Sequence, residues 1–155
     1  MPTLFLSLAI GFVAGLRSMT APAAVAWGTR LGWLRLSDTP LAFLGTAPAA
    51  YILAVVMVAE LVTDKLPFTP SRTRPGPFAG RIISGALSGA ALAAGTGESL
   101  TLGVLLGALG AVLGTLGGYR ARVGLVSSLK VPDYVVALAE DATAVGVGFL
   151  IVAMS

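Results

Sequence analysis

Long runs of apolar residues recur along the chain, separated by short polar links. Four of these runs cover residues 46–66, 78–95, 100–119 and 134–154. A helix of about twenty apolar residues is long enough to cross the hydrocarbon core of a bilayer. The pattern therefore predicts four membrane-spanning helices, of which the second and third are joined by a very short link and form a hairpin.

The apolar run at the N-terminus is interrupted. It covers residues 3–16 and resumes over residues 20–34, after a polar string at 17–19. Pro22 suits the first turn of the second half, because an N–H in a first turn has no partner within its helix. We expect a helix that is broken within the membrane, or a re-entrant hairpin in its place. The chain then has about five membrane segments.

Two short strings occur in the same order in both halves of the chain. Gly15-Leu16-Arg17 can be laid over Gly118-Tyr119-Arg120, and Ala59-Glu60 over Ala139-Glu140. Because three segments separate the matching parts, the second copy would be inverted, as in many secondary transporters. Arg120 would then stand beside a broken helix, as Arg17 does. The predicted parts of this single membrane domain, residues 1–155, are repeat one at about 3–66, a linking helix at about 78–95 and repeat two at about 99–154.

The composition places the chain in lipid. Apolar residues make up 56% of the sequence and charged residues only 11%, so the fold class is an all-α integral membrane protein. Cysteine and histidine are both absent, which excludes disulfides, thiolate nucleophiles, histidine bases and the usual zinc sites. We expect no cofactor. The net charge of +3 is not arranged as a basic stripe, which disfavours nucleic acid as a partner.

Lysine and arginine collect in two of the links, and this bias predicts the orientation. Both links should be cytoplasmic, in a multi-pass protein of the bacterial inner membrane that begins inside and ends outside. The basic residues of the two links are Lys65, Arg72, Arg74 and Arg81, and Arg120, Arg122 and Lys130.

Several ionisable residues interrupt the apolar segments. Glu140 and Asp141 lie about nine residues into their segment, hence roughly 13 Å deep. Glu60 and Asp64 are four apart and share one helical face, and Lys65 follows directly. An ion at such depth costs about 2.5–3.5 kcal/mol on insertion scales. We therefore expect these side chains to pair with one another or to face water.

The buried charges favour a small transporter or permease for an anionic or lipid-linked solute. Arginine and the free N–H groups of a broken helix both attract anions, and the carboxylates are candidates to carry a proton or a sodium ion. The residues expected to contact the solute are Arg17, Ser18, Thr20, Tyr119 and Arg120. The residues expected to couple transport to an ion are Glu60, Asp64, Lys65, Glu140 and Asp141.

Other interpretations remain open. The carboxylates suit magnesium in an enzyme that acts on phospholipid head groups, but no nucleophile stands next to a base, so an enzyme is the second hypothesis. A non-catalytic scaffold is the third hypothesis. In a purely structural interpretation, the charges have no role beyond fixing the register of the helices.

Five segments enclose little space, so a homodimer or larger homo-oligomer is expected. Its interface could use the glycine stripe Gly103, Gly107, Gly110, Gly114 and Gly117.

Several strings are similar to a bacterial membrane-protein family called domain of unknown function 4126. They are GLRSMTAPAAVAW at 15–27, AELVTDKLPFTPSRT at 59–73, GRIISGALSGA at 80–90, and GGYRAR with ALAEDATAV in the second half. The resemblance covers most of the chain and implies a membrane protein. It assigns no roles, but it draws attention to Arg17, Ser18, Glu60, Asp64, Lys65, Pro67, Ser71 and Arg72.

Overall fold

Every regular element in the described part of the chain is helical. The structure is a computed structural model that describes residues 2–68, 71 and 73–155. A short 3-10 helix, Ala42–Gly45, precedes the third helix. The α-helices are α1 Pro2–Leu16, α2 Thr20–Arg30, α3 Ala47–Thr63, α4 Pro75–Gly95, α5 Leu100–Leu129 and α6 Asp133–Ala153. The predicted all-α fold is confirmed.

The ends of these helices follow from local sequence signals. The Thr46 hydroxyl accepts the Ala49 N–H at the start of α3, and the Ser99 hydroxyl does the same for Leu102 at the start of α5. Such side-chain caps satisfy N–H groups that have no partner within the helix. Pro75 begins α4, where a missing N–H costs nothing.

The chain reverses direction between α1 and α2. The interruption at 17–19 is a turn, as predicted, but the two helices lie side by side in opposite senses and form a hairpin. Both helices contact α6, but α1 runs antiparallel to it and α2 runs parallel to it. On the α1 side, Val13 contacts Gly148, and Arg17, directly after α1, contacts Asp141. On the α2 side, Ala24 contacts Gly148 and Gly28 contacts Val152.

The helix directions give no support to the inverted repeat. The repeat would relate α1 to α5 by inversion, yet Gly11 lies against Gly107 and Gly15 against Ala111, so these two helices are parallel. The predicted break at Arg120 is also absent, because α5 continues without interruption to Leu129. The residues around Arg120 contain no proline, and arginine and alanine are good helix formers.

Close packing of α1, α4 and α5 forms the centre of the molecule. Gly107 lies against the backbone of Gly85 on α4, and Gly114 lies against the backbone of Phe12 on α1. Without a Cβ, the glycines of α5 let both neighbouring helices approach closely. Four glycines of the stripe, Gly103, Gly107, Gly110 and Gly114, therefore face neighbouring helices of the same chain, whereas Gly117 is exposed.

Three helices, α4, α5 and α6, are long and apolar enough to cross a membrane, and α1 and α3 are apolar but shorter. Large apolar side chains are exposed on α3 and α5, among them Ile52, Val55, Leu105 and Leu109. An outer surface of this kind suits lipid better than water. Together these features indicate a membrane protein.

Candidate functional site

The charged side chains of the helices meet at one end of the molecule. This end contains the C-terminal ends of α1 and α3, the N-terminal parts of α2, α4 and α6, and the last third of α5. We call the group the charge cluster. Its members among the described residues are Arg17, Glu60, Asp64, Lys65, Arg81, Arg122, Asp133, Glu140 and Asp141.

Arg17 is the centre of the charge cluster and is completely buried. Its Nε donates to Asp141 Oδ1 at 2.6 Å, and its Nη2 lies 2.5 Å from the same oxygen. Its Nη1 donates to Asp64 Oδ2. The guanidinium therefore joins α3 to α6. A buried charge is tolerated only when it is paired in this way, because water no longer solvates it.

Lys65 adds a second contact between the same two regions. Its Nζ donates to Asp141 Oδ2 at 2.5 Å and to the Leu61 carbonyl at 2.6 Å. Asp141 thus accepts hydrogen bonds from two cations, one through each carboxylate oxygen. The sequence-based expectation that the membrane charges pair with one another holds for Arg17, Lys65 and Asp141.

Glu60 binds the turn between α1 and α2. Its two carboxylate oxygens accept the backbone N–H groups of Ser18 at 2.8 Å and Met19 at 2.7 Å. These amides precede the N-terminus of α2, where the helix dipole favours negative charge. The anion-binding position that the sequence predicts at this turn is therefore occupied by a carboxylate of the protein itself.

Arg81 supplies the complementary charge on the other side of the turn. Its Nη1 donates at 2.7 Å to the carbonyls of both Gly15 and Leu16, the last residues of α1. Its Nη2 lies 3.9 Å from Glu60 Oε1 and 3.9 Å from Asp64 Oδ2. The C-terminal carbonyls of α1 thus face a cation, and the N-terminal amides of α2 face an anion.

Arg122 links α5 to α6. Its Nε and Nη2 donate to the two oxygens of Asp133 at 2.8 and 2.5 Å, a bidentate geometry, and its Nη1 lies 3.7 Å from Glu140 Oε2. Glu140 Oε2 also lies 3.8 Å from Arg17 Nη2. Glu140 therefore joins the outer pair to the buried centre of the charge cluster.

A cavity of about 670 Å³ lies against the charge cluster. Its lining combines charged and polar side chains with apolar side chains of α5 and of the segment after α3. Its lining includes Ser18, Glu60, Asp64, Leu66, Ser71, Pro77, Gly80, Arg81, Tyr119, Arg122, Val123, Val126, Ser127 and Asp133. A space of this size accommodates a small organic molecule.

Most of the sequence-predicted site residues converge here, and Arg120 does not. Arg120 is exposed on α5, and no described residue forms an ion pair with it. Two residues along a helix turn the side chain by about 200°, so Arg122 faces the charge cluster and Arg120 points away. Tyr119 is on the cavity side, three residues before Arg122.

The remaining predicted residues have different surroundings. The Ser18 carbonyl accepts the hydroxyl of Ser84. Thr20 is fully buried in the first turn of α2, and its hydroxyl has no hydrogen-bond partner among the described residues. Ser71 lines the cavity and its hydroxyl pairs with that of Thr73. Arg72 lies outside the described residues.

Sequence reasoning missed three members of the charge cluster: Arg81, Arg122 and Asp133. Arg81 was treated as a loop charge, although it lies within the run 78–95 that the hydrophobic pattern assigns to a membrane segment. Its position inside an apolar helix was the available signal. For Arg122 and Asp133 the signal was helical periodicity, which places Arg122 and Tyr119 on one face.

The carboxylates of the charge cluster contact cations of the protein. Within the described ranges, no group of three or more Asp or Glu side chains is placed to hold a metal ion. The enzyme hypothesis assigns magnesium to Glu60 with Asp64, or to Glu140 with Asp141. One member of each pair, Asp64 or Asp141, binds Arg17.

Comparison with known proteins identifies the family. No curated protein and no solved structure matches the chain. A family model described as "Domain of unknown function (DUF4126)" matches residues 4–154, nearly the whole length. The predicted resemblance is confirmed, and the chain belongs to the DUF4126 family.

Proposed function

We propose that this chain is a small secondary transporter of the bacterial inner membrane that moves an anionic or lipid-linked solute. The observation that carries the proposal is the position of the charge cluster. Buried ions shared among several helices form one wall of a cavity large enough for a small solute. Ionisable side chains inside membrane proteins are rare and commonly mark pathways for substrates or ions.

The proposed placement in the membrane has five segments. Helices α4, α5 and α6 cross fully, α3 is a shorter fourth span, and the α1–α2 hairpin enters from one side as a re-entrant fifth segment. The end with the charge cluster also carries the exposed basic residues Arg74, Arg120 and Lys130. The positive-inside bias places this end, and the mouth of the cavity, at the cytoplasm.

The ion pairs provide a means of switching between conformations. Arg17 binds α3 through Asp64 and α6 through Asp141, so a change in the charge of either carboxylate alters how these helices are held together. Among the described residues the charge cluster has five carboxylates and four cations. A carboxylate can take up a proton, which makes a proton the first candidate for the coupling ion, with sodium as the alternative.

A homodimer remains part of the proposal, with a different interface from the one predicted. Gly103, Gly107, Gly110 and Gly114 of α5 pack against α1 or α4 of the same chain. The exposed apolar faces of α3 and α5 are the surfaces left for a second copy.

Flux across proteoliposomes tests the proposal. The purified protein is reconstituted, and the uptake of labelled phosphate and of labelled succinate is measured with and without a proton gradient. Glu140→Gln removes the charge that links Arg17 to Arg122, and we expect it to abolish uptake while the protein remains folded. Glu98→Gln, in the link between α4 and α5 at the other end, is the matched control. Absence of uptake by the wild type, or equal uptake by both variants, would retire the transport proposal.

A further inference from the structure

The contact between Glu60 and the α1–α2 turn has the form of an occupied anion site. Two adjacent backbone N–H groups, those of Ser18 and Met19, each donate to one carboxylate oxygen of Glu60. Consecutive amides at a helix start bind carboxylates, phosphates and sulfonates in this way. The carboxylate comes from another helix, so it can leave without unfolding the turn that it binds.

A buried cation makes this position more than a helix start. Arg81 is almost fully buried, and its Nη2 lies 3.9 Å from Glu60 Oε1, so a cation stands beside the two amides. The same guanidinium donates through Nη1 to the carbonyls of Gly15 and Leu16, which holds its positive charge beside the amides.

The cavity reaches this position directly. Ser18, Glu60 and Arg81 belong to its lining. The same lining also contains apolar side chains, among them Leu66, Val123 and Val126. A ligand that fills both parts has an anionic head and a short apolar body, because each part then contacts groups of matching polarity.

We propose that a small amphipathic anion binds at the Ser18 and Met19 amides in place of the Glu60 carboxylate, with its apolar part against Val123 and Val126. This inference rests on the proposed transport function and specifies its solute and its coupling. Glu60 takes up a proton from the solvent and releases the amides, and the anion then occupies them. One proton therefore binds with each anion.

The sign of the pH dependence follows from this exchange. Deprotonated Glu60 competes with the anion, so affinity rises as pH falls, by about tenfold per pH unit while Glu60 is mostly ionised. The charged groups of the charge cluster around Glu60 come from four helices and one turn. They are Arg17 at the turn, Asp64 and Lys65 at the end of α3, Arg81 on α4, Arg122 on α5, and Asp133, Glu140 and Asp141 on α6.

Alkyl sulfonates are suitable probes because they stay anionic at every pH used, so any pH dependence belongs to the protein. Binding of hexane-1-sulfonate and of methanesulfonate to the full chain in phosphatidylcholine nanodiscs is measured by calorimetry from pH 5.5 to 8. We expect hexane-1-sulfonate to bind more tightly than methanesulfonate by at least tenfold. We also expect its affinity to fall about tenfold between pH 7 and 8.

Glu60→Gln mimics the protonated side chain and should bind hexane-1-sulfonate with an affinity that no longer changes with pH. Glu98→Gln, in the link between α4 and α5, should behave as the wild type. If Glu60→Gln does not fold, the wild type still decides the question. Calorimetry in buffers with different ionisation enthalpies should give about one proton taken up per sulfonate bound at pH 7.

The outcomes separate this inference from the transport proposal. Sulfonate binding without proton uptake, or an unchanged pH profile in Glu60→Gln, overturns the exchange at Glu60 even if the protein transports anions. Proton-linked binding without flux supports the site and contradicts transport. Phosphatidylglycerol nanodiscs, compared with phosphatidylcholine nanodiscs at about 0.5 M salt so that the lipid surface charge is screened, distinguish the two sources of such an anion: a loss of sulfonate affinity indicates a lipid head group, and no change indicates a free solute.

Discussion

Replacing Arg17 by methionine should destabilise the protein strongly, whereas the same replacement at Arg120 should not. The two arginines follow related strings in the sequence, but only Arg17 is enclosed. Its side chain is fully buried and is bound to Asp64 and Asp141, which are themselves 18% and 10% exposed. Methionine has a similar length and removes only the charge and the hydrogen bonds.

The expected loss follows from what the substitution leaves behind. Two nearly buried carboxylates lose their shared cation, and removing one partner of a buried ion pair costs about 3–5 kcal/mol. Total stabilities of domains are about 5–15 kcal/mol, so this loss is a large fraction. At about 2–4 °C per kcal/mol for a chain of this size, the melting temperature should fall by roughly 6–20 °C. Arg120→Met should stay within about 0.5 kcal/mol of wild type.

Thermal unfolding in detergent provides the assay, with the fluorescence of Trp27 and Trp33 as the signal. Trp27 packs edge-on against Tyr51 and reports on the contact between α2 and α3. Adding Asp64→Asn to Arg17→Met removes the carboxylate that, among the described residues, then has only Arg81 nearby, at 3.9 Å, and should recover part of the loss. If Arg17→Met melts within 2 °C of Arg120→Met, roughly 1 kcal/mol or less, the charge cluster does not hold the helices together.

Three further outcomes are expected. Gly107→Ala places a methyl group against the Gly85 backbone and should lower the free energy of unfolding by about 1–3 kcal/mol or more in thermal unfolding. Gly124→Ala is the control and should not destabilise, because a methyl group there meets nothing within 4 Å. Equal effects of the two substitutions would contradict the close packing. Asp133→Ala breaks the half-exposed ion pair with Arg122 and should lower the free energy of unfolding by less than about 1 kcal/mol in low salt, and by less again at 1 M salt. A loss as large as that of Arg17→Met would be inconsistent with the exposed position of this pair. Thr46→Ala removes the cap of α3 and should cost about 1 kcal/mol by chemical unfolding, and no measurable change would mean that the cap adds nothing.

The sequence was sufficient to predict the helices, because each depends on a local pattern. Apolar runs predicted α3, α4 and α6 to within a few residues and the start of α5, but ended α5 near residue 119, whereas it continues to Leu129. Pro22 indicated the start of α2. The polar string at 17–19 predicted an interruption in the N-terminal run. Whether the chain continues or reverses there depends on how α1 and α2 pack against α6, and no short string of residues contains that information.

The site was predictable in part. Depth along apolar segments identified Arg17, Asp64 and Asp141 as side chains that need partners. The choice of Arg120 came from matching strings, whereas the helical period of α5 favours Arg122 on the cavity side. The role of Arg81 required knowing that α4 lies beside the α1–α2 turn, which is a tertiary contact.

Chemical access to Ser18 tests the central claim, that the charge cluster faces a water-filled cavity open at the cytoplasmic end. The chain has no cysteine, so Ser18→Cys and Thr143→Cys each give a single thiol. Ser18 lines the cavity, and Thr143 lines an apolar groove among α1, α5 and α6. A membrane-impermeant anionic thiosulfonate should label Ser18→Cys in inside-out vesicles only and should leave Thr143→Cys unlabelled. No labelling of Ser18→Cys from the cytoplasmic side, or labelling from the outside, would contradict the account.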